Sequence, residues 1–286
     1  MLAYYKNGNY VVKLYRDGTK IKQTEDDFFR ADFPDSIDLK ITNYCDLNCP
    51  MCHEKSTKRG KHADLDKPFL NTLQRGTELA IGGGNPLSHP QILPFLQKLK
   101  EQGIICNLTV NERHFLQNIF LLQDLINKKL IYGLGISLNL IDNKTLEFAT
   151  KNKNVVFHVI NGLFKGYSKL ANQGFKILIL GYKTFGRGKE YYNEQIAEQL
   201  LLDKQNVKNL FNKFKVVSFD NLALEQLDIK SLVDSDTWDS YFMGGDGEAS
   251  MYIDLVKEQF ALSSTTKTRH ALKDDIVKMF NVVKPY

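Results

Sequence analysis

Three of the chain's four cysteines fall on one short stretch, as Cys45-x3-Cys49-x2-Cys52. Just before them runs Ser36-Ile-Asp-Leu-Lys-Ile-Thr-Asn, where Ile37, Leu39 and Ile41 alternate with more polar residues. That is a strand pattern, so the thiols sit on the loop leaving a strand's carboxyl end. Three thiolates on one loop can hold a metal centre but leave a coordination position unfilled. An iron–sulfur cluster ordinarily takes four cysteines, so one iron would stay open to a ligand from elsewhere. Two other chemistries compete. Structural zinc needs four ligands, and His53, adjacent to Cys52, is badly placed to join the same ion. Cys49-Pro-Met-Cys52-His53 also has the C-x-x-C-H spacing of covalent haem attachment. That chemistry belongs to exported proteins and would leave Cys45 without a role.

A second stretch, Glu78-Leu-Ala-Ile-Gly-Gly-Gly-Asn-Pro-Leu, reads as a strand that ends in glycines. Without Cβ atoms, Gly82, Gly83 and Gly84 let backbone amides and carbonyls approach a ligand closely. Taken in this order, the three-cysteine motif after a strand and the Gly-Gly-x-Pro stretch resemble the radical S-adenosylmethionine (radical SAM) superfamily. The resemblance implies a [4Fe–4S] cluster on Cys45, Cys49 and Cys52, whose open iron chelates the amino and carboxylate groups of SAM. In that family the reduced cluster cleaves SAM to a 5′-deoxyadenosyl radical, which abstracts hydrogen from a substrate. The family pattern assigns the Gly82–Gly84 edge to the amino group of SAM. It also sets Met51, at a position often aromatic in the family, near the adenine. Asn85 stands where many members carry glutamate, which leaves its side-chain contact open.

Other residues gain interest from where they fall on later strands. Ser137 and Asn139, near the end of the fourth strand, could bond the ribose hydroxyls or the SAM carboxylate. His158 and Asn161 hold the corresponding place on the fifth, with the alternative that His158 is a satisfied core group. Lys183 and Arg187, in Tyr182-Lys-Thr-Phe-Gly-Arg-Gly after the sixth, could meet a carboxylate or phosphate, Arg187 between glycines reading as a ligand clamp. Cys106 lies early in its strand and reads as a small buried hydrophobe. His62, His89 and His114 have no partner arrangement in the sequence.

The elements that must position these groups alternate from Ser36 onward. Strands are expected at Leu79–Gly83, Ile104–Val110, Ile131–Leu140, Val155–Ile160 and Phe175–Leu180. Between them fall helical patterns after Pro90, from Arg113 to Leu130, from Asp142 and over Phe164–Gln173. Such βα alternation argues for a parallel sheet, and the resemblance implies an open (β/α)6 partial TIM-like barrel over residues 36–190. Sites in βα barrels lie at the carboxyl ends of the strands. Residues 1–35 read as a β-meander turned at Asn7-Gly8 and Asp17-Gly18, plus a connector whose Phe28, Phe29 and Phe33 are expected to pack on the core. The meander is expected to cover the barrel mouth. Residues 191–286 read as an α+β extension: an amphipathic helix over Tyr191–Lys215, a strand at Val216–Phe219 and a hairpin from Ala249 to Ser264. Its Gly244-Gly-Asp-Gly and Tyr252-Ile-Asp weakly resemble a SPASM extension, but no cysteine follows Cys106, so no auxiliary cluster is expected.

With 286 residues the chain can bury a large core. Its 38 basic and 33 acidic residues give a net charge of +5, dispersed along the chain, too mild to argue for nucleic acid. No uncharged apolar run approaches the ~18 residues of a membrane span, and the first residues lack a signal-peptide layout. A cytoplasmic, metal-binding oxidoreductase is the expectation, in a compartment where clustered cysteines bind metal rather than pair. Its partners would be an electron donor such as flavodoxin or ferredoxin and a substrate, with no membrane. The SPASM-like echo favours a peptide or protein side chain; a nucleotide or other small metabolite is the alternative, and a non-enzymatic electron carrier a third reading.

Overall fold

The computed structural model describes residues 1–285. Strands β1 (Ala3–Asn7), β2 (Tyr10–Leu14) and β3 (Lys20–Gln23) form a separate antiparallel meander. The larger sheet has ten strands. Its centre is β4 (Ser36–Thr42), β5 (Glu78–Gly83), β6 (Ile105–Asn111), β7 (Gly133–Ser137), β8 (Val155–Ile160) and β9 (Lys176–Leu180), each parallel to the next. After residue 190 the chain adds to both edges. Strand β10 (Val216–Phe219) runs parallel on β9, and β11 (Ser250–Asp254) runs parallel on β4. Then β12 (Gln259–Ala261) and β13 (His270–Ala271) continue antiparallel beyond β11. The sheet order runs from β10 to β13 without closing, so this is a partial TIM-like barrel.

Alternation along the strands explains the layering. Ile37, Leu39, Ile41, Leu79, Ile81, Leu108, Ile136, Phe157 and Ile177 turn outward and are buried in one core with the helices. That outer layer is α1 (Ile92–Glu101), α2 (Glu112–Gln117), α3 (Ile119–Asn127), α4 (Asn143–Lys151) and the short α5 (Tyr167–Leu170). The residues between them face the barrel interior: Asp38, Lys40 and Thr42 on β4, Gly82 on β5, Ser137 on β7 and His158 on β8. Helices α6 (Arg187–Tyr191), α7 (Glu194–Asn206), α8 (Asn221–Leu227) and α9 (Ser235–Tyr241) follow β9, and α10 (Ile276–Val283) closes the described chain.

Several local expectations need correction. The helix expected from Arg113 to Leu130 is two, broken at Asn118, whose φ of −129° is not helical. The fourth strand stops at Ser137 because the amides of residues 139–142 turn away to Glu112. Only Tyr167–Leu170 of the Phe164–Gln173 pattern is helical. The Tyr191–Lys215 pattern splits around α7, on which Ile196 alone is buried while Leu201 and Leu202 face solvent. Phe28 and Phe29 are exposed rather than packed on the core.

The meander is at the opposite end from the one expected. Lys20 pairs with Glu78 at the start of β5, and Lys22 with Asp35 just before β4 (2.9 Å). Asn154, before β8, donates to Arg16 O (2.6 Å), and Lys176, at the start of β9, to Asp17 O (2.6 Å). All four barrel residues lie at amino ends of strands, so the meander floors the barrel and leaves its mouth free. Asp35, 1% exposed, is the tie, accepting from Tyr10 Oη (2.7 Å) and Asn7 Nδ2 (2.7 Å) as well. Burial and that carboxylate push the Tyr10 phenol far up.

Candidate functional site

At the carboxyl end of β4, the backbone enters the cysteine loop through close ties. Thr42 Oγ1 accepts from Tyr44 N (3.0 Å) and Cys45 N donates to Thr57 O (2.9 Å). Cys52 N donates to Cys49 O (3.2 Å), which folds the Cys49–Cys52 segment into a turn. Asn48, with φ of 49°, supplies the left-handed residue this path requires. Cys45 is buried, and Cys49 and Cys52 are half-buried. Burial pushes the Cys45 thiol up, against the pull of the Leu47 and Asn48 amides on its sulfur. Burial and then the charges of Cys45 and Cys52 push Cys49 up as well. Three clustered thiolates repel one another, so this loop favours its charged form when a cation sits among the sulfurs.

The loop is held from three sides. Arg187, at the start of α6, donates N to Cys52 O (3.1 Å), Nε to Cys49 O (3.0 Å) and Nη2 to Ser56 O (3.0 Å). Two of its guanidinium nitrogens, Nε and Nη2, thus hold the loop itself, beside the ligand contact expected of this residue. Lys40, 3% exposed, pairs with Glu54 and with Asp254 Oδ2 (3.2 Å), joining loop, β4 and β11. Tyr252 Oη donates to the same Glu54 (3.2 Å). Burial works against the Glu54 charge, yet the bond from His53 and the Lys40 ammonium hold its carboxyl well below the usual range. On the third side, His114 Nε2 lies 2.7 Å from Asp46 Oδ1. Cys45 Sγ, Asp46 and His114 bring ligand atoms within 4.8 Å of one another, a group able to hold a metal ion. The histidine–aspartate bond makes the pair a brace behind Cys45.

The glycine segment is stitched to this loop: Gly84 N donates to Thr42 O (2.9 Å) and Asn85 N to Tyr44 O (2.7 Å). Gly83 has φ of 117°, and a Cβ there would collide with Thr42 O; one on Gly84 would collide with Tyr44 O. These two glycines are demanded by backbone against backbone. Gly82 differs, because a Cβ there would meet nothing within 4 Å, so it borders open interior space. Asn85 is 9% exposed, and its Oδ1 has no partner among the described residues.

Ser137 and His158 are register neighbours on β7 and β8, both facing the interior. Burial pushes the His158 imidazole down to about 4, so it is neutral at pH 7, and its ring fills the room left by Gly135. Asn161, 1% exposed, gives Nδ2 to Gln226 Oε1 (3.1 Å) and leaves Oδ1 without a partner among the described residues. Asn139 points to solvent, and its amide goes to Glu112 (2.8 Å). Met51 is half-buried on the loop. Burial pushes Cys106 up to about 12, as suits an inert core thiol.

Sequence reasoning read Tyr252 and Asp254 only as part of a SPASM-like echo, and passed over Asp38, Lys40, Glu54 and Glu112. Their only linear signal is alternation, which turns Asp38 and Lys40 to the face opposite Ile37 and Leu39. The three histidines left without partners have them: His114 with Asp46, His62 with Thr42 (2.8 Å) and His89 with Ala63 O (2.9 Å).

No protein-family model matches the chain, and no curated protein does. Solved structures do. SuiB of Streptococcus suis bound to the precursor peptide SuiA aligns with a TM-score of 0.57 at 16% identity, over 88% of this chain and 65% of that one. SuiB bound to S-adenosylmethionine aligns at 0.53 and 15%, over 85% and 64%. The chain shares the fold of these SuiB structures. At such identity the likeness is one of fold, and the chain spans about 65% of the length of that SuiB chain. Among the described residues no helix is long and apolar enough to cross a membrane.

Proposed function

We propose that this chain is a radical SAM enzyme that acts on a peptide or protein side chain. The observation that carries the reading is a set of three thiols, Cys45, Cys49 and Cys52, on the loop leaving the first parallel strand of a fold shared with a SAM-bound protein. The residues present fit the two groups this chemistry needs. The thiols suit a [4Fe–4S] cluster with one iron open. The unpartnered Oδ1 atoms of Asn85 and Asn161 offer buried acceptors for the donors of SAM, and the bare edge at Gly82 leaves room for it. Bound there, cluster and SAM supply reductive cleavage of a sulfonium bond and hydrogen abstraction from the substrate.

The chain's own residues hold and shield. Arg187, Lys40 and the His114–Asp46 pair keep the cysteine loop in one shape, Gly83 and Gly84 let the second strand close on it, and Met51 gives it an apolar side. Neutral His158 and Ser137 offer polar contacts deeper in the barrel. A small electron carrier such as flavodoxin or ferredoxin is the proposed reductant. A phosphate-bearing substrate is disfavoured, because Arg187 spends Nε and Nη2 on the loop and Lys183 donates to Ser264 Oγ (3.0 Å). The peptide reading is supported by the SuiB complex with its precursor peptide.

The test is anaerobic reconstitution with iron and sulfide, then SAM and dithionite, with 5′-deoxyadenosine read by mass spectrometry. The expected outcome is product from the wild type and none from Cys49→Ala. A loaded, reducible cluster that yields none would overturn the reading in favour of an electron carrier. A colourless preparation without iron would favour zinc.

A further inference from the structure

Asp46 and His114 come to Cys45 from different elements. Asp46 follows Cys45 directly on the loop after β4, whereas His114 stands 68 positions beyond Asp46, in α2 at the end of β6. That helix is itself fixed in place. Asn111 caps it by accepting from Arg113 N (3.0 Å), Phe115 is fully buried, and Glu112 ties it to the segment after β7. His114 is buried as completely. Its Nε2 lies 2.7 Å from Asp46 Oδ1, and its Nδ1 has no partner among the described residues. A carboxylate can only accept, so Nε2 carries the hydrogen, and this one bond aims the ring. A buried ring nitrogen left bare costs stability, and an apolar side chain would pack here without that cost. The pair is therefore more than packing.

Ligand atoms of Asp46, His114 and Cys45 lie within 4.8 Å of one another. The bond from His114 thus keeps a carboxylate beside a thiol that the proposed cluster would use. The Asp46 side chain is 37% exposed, so it is ionised at pH 7, and solvent screens its charge only in part. With no acceptor beside Nδ1, the ring has no partner for a second proton, and the pair keeps the negative charge of the carboxylate. Among the described residues no lysine or arginine forms an ion pair with Asp46. The Arg187 guanidinium is committed elsewhere on the loop, to the Cys49 and Ser56 carbonyls. Cys45 therefore has a fixed anion as its neighbour.

We propose that Asp46, fixed by His114, lowers the reduction potential of the iron–sulfur cluster held on Cys45, Cys49 and Cys52. This rests on the radical SAM reading and adds how that site is tuned. Cluster potentials follow the net charge and hydrogen bonding around the sulfurs. An electron added beside a fixed carboxylate is disfavoured by repulsion, so the reduced form gives it up more readily. Reductive cleavage of a sulfonium bond calls for a shift in this direction. At this range, with an effective dielectric between those of protein and water, one charge is worth about tenfold on the equilibrium between oxidised and reduced cluster.

The test is a redox titration, read without turnover. Reconstituted protein without SAM is reduced stepwise and anaerobically by dithionite in the presence of mediators, and the one-electron-reduced cluster is followed by electron paramagnetic resonance. Asp46→Asn keeps the shape and an acceptor for His114 Nε2 but removes the charge. It is expected to favour the reduced cluster about tenfold, which raises the midpoint by about 59 mV for one electron. His114→Ala frees the carboxylate to turn into solvent, so its midpoint is expected to rise by a smaller step, still about threefold or more on the equilibrium. A change below about threefold for Asp46→Asn, or a fall in its midpoint, would overturn the proposal. Iron and sulfide content show whether a variant holds an intact cluster. If Asp46→Asn does not, His114→Ala decides; if neither does, the pair only holds the loop and the proposal falls. A wild type that forms 5′-deoxyadenosine while the midpoints stay together refutes this inference alone. Shifted midpoints in a protein that forms none refute the radical SAM reading instead.

Discussion

Glu112→Gln tests whether one buried carboxylate shapes the chain leaving β7. Glu112 is fully buried, and it accepts from four consecutive amides: Asn139 (2.8 Å), Leu140 (2.6 Å) and Ile141 (3.0 Å) on Oε2, and Asp142 (2.8 Å) on Oε1. Glutamine keeps the shape but must turn an N–H2 toward at least one of these donors. One charge-assisted bond is lost, worth about 1.5–3 kcal/mol, and the rest weaken to neutral strength, so the total is about 3 kcal/mol. At about 2.1 cal/mol/K per residue over 286 residues, that lowers the melting temperature by about 5 °C. The pH dependence follows from the same bonds. Burial would raise the Glu112 carboxyl, but the four amides outweigh it and hold it below its ordinary value. A depressed carboxylate contributes its stability above the unfolded pKa of about 4.3 and loses it as pH falls through the folded one. The gap between wild type and variant should therefore be constant from about pH 7 to pH 5 and narrow below about pH 4. Differential scanning calorimetry on the cluster-free chain reads both. A loss under about 1 kcal/mol, or a gap that does not narrow in acid, would refute the account of Glu112 as a charged anchor.

Arg187→Lys keeps the charge but can serve only one of the Cys49 and Ser56 carbonyls, so iron release to a chelator should speed up about tenfold, the worth of one such bond. An unchanged release rate would remove Arg187 from the loop's support. Asp35→Ala strands Lys22 and the Tyr10 and Asn7 donors in a buried site, and urea titration should show about 3–5 kcal/mol lost. Because the meander floors the barrel, deleting residues 1–24 should lower stability and cluster loading together rather than spare loading. Gly83→Ala should cost about 1–3 kcal/mol and SAM affinity with it, from its φ of 117° and the collision with Thr42 O; isothermal titration with SAM checks this, and wild-type affinity would count against the close approach.

The cysteine loop, the glycine edge and the order of parallel strands were legible in the linear chain because each is a local signal. Spacing on one loop, glycines after an apolar run, and alternation between turns all show within a few neighbours. The Val155–Ile160 strand has the expected bounds. Long helices were less legible, since α2 and α3 read as continuous until Asn118 bonds its own preceding turn through His114 O (2.8 Å). The roles of charged residues were not legible at all. Arg187 and Cys49 lie 138 positions apart, and only the tertiary fold brings the guanidinium to the loop's carbonyls. The end of the barrel that the meander occupies was settled the same way. An electrostatic partner is chosen by distance in space, which local pattern does not encode, whereas hydrophobic period and turn chemistry are written in adjacent residues.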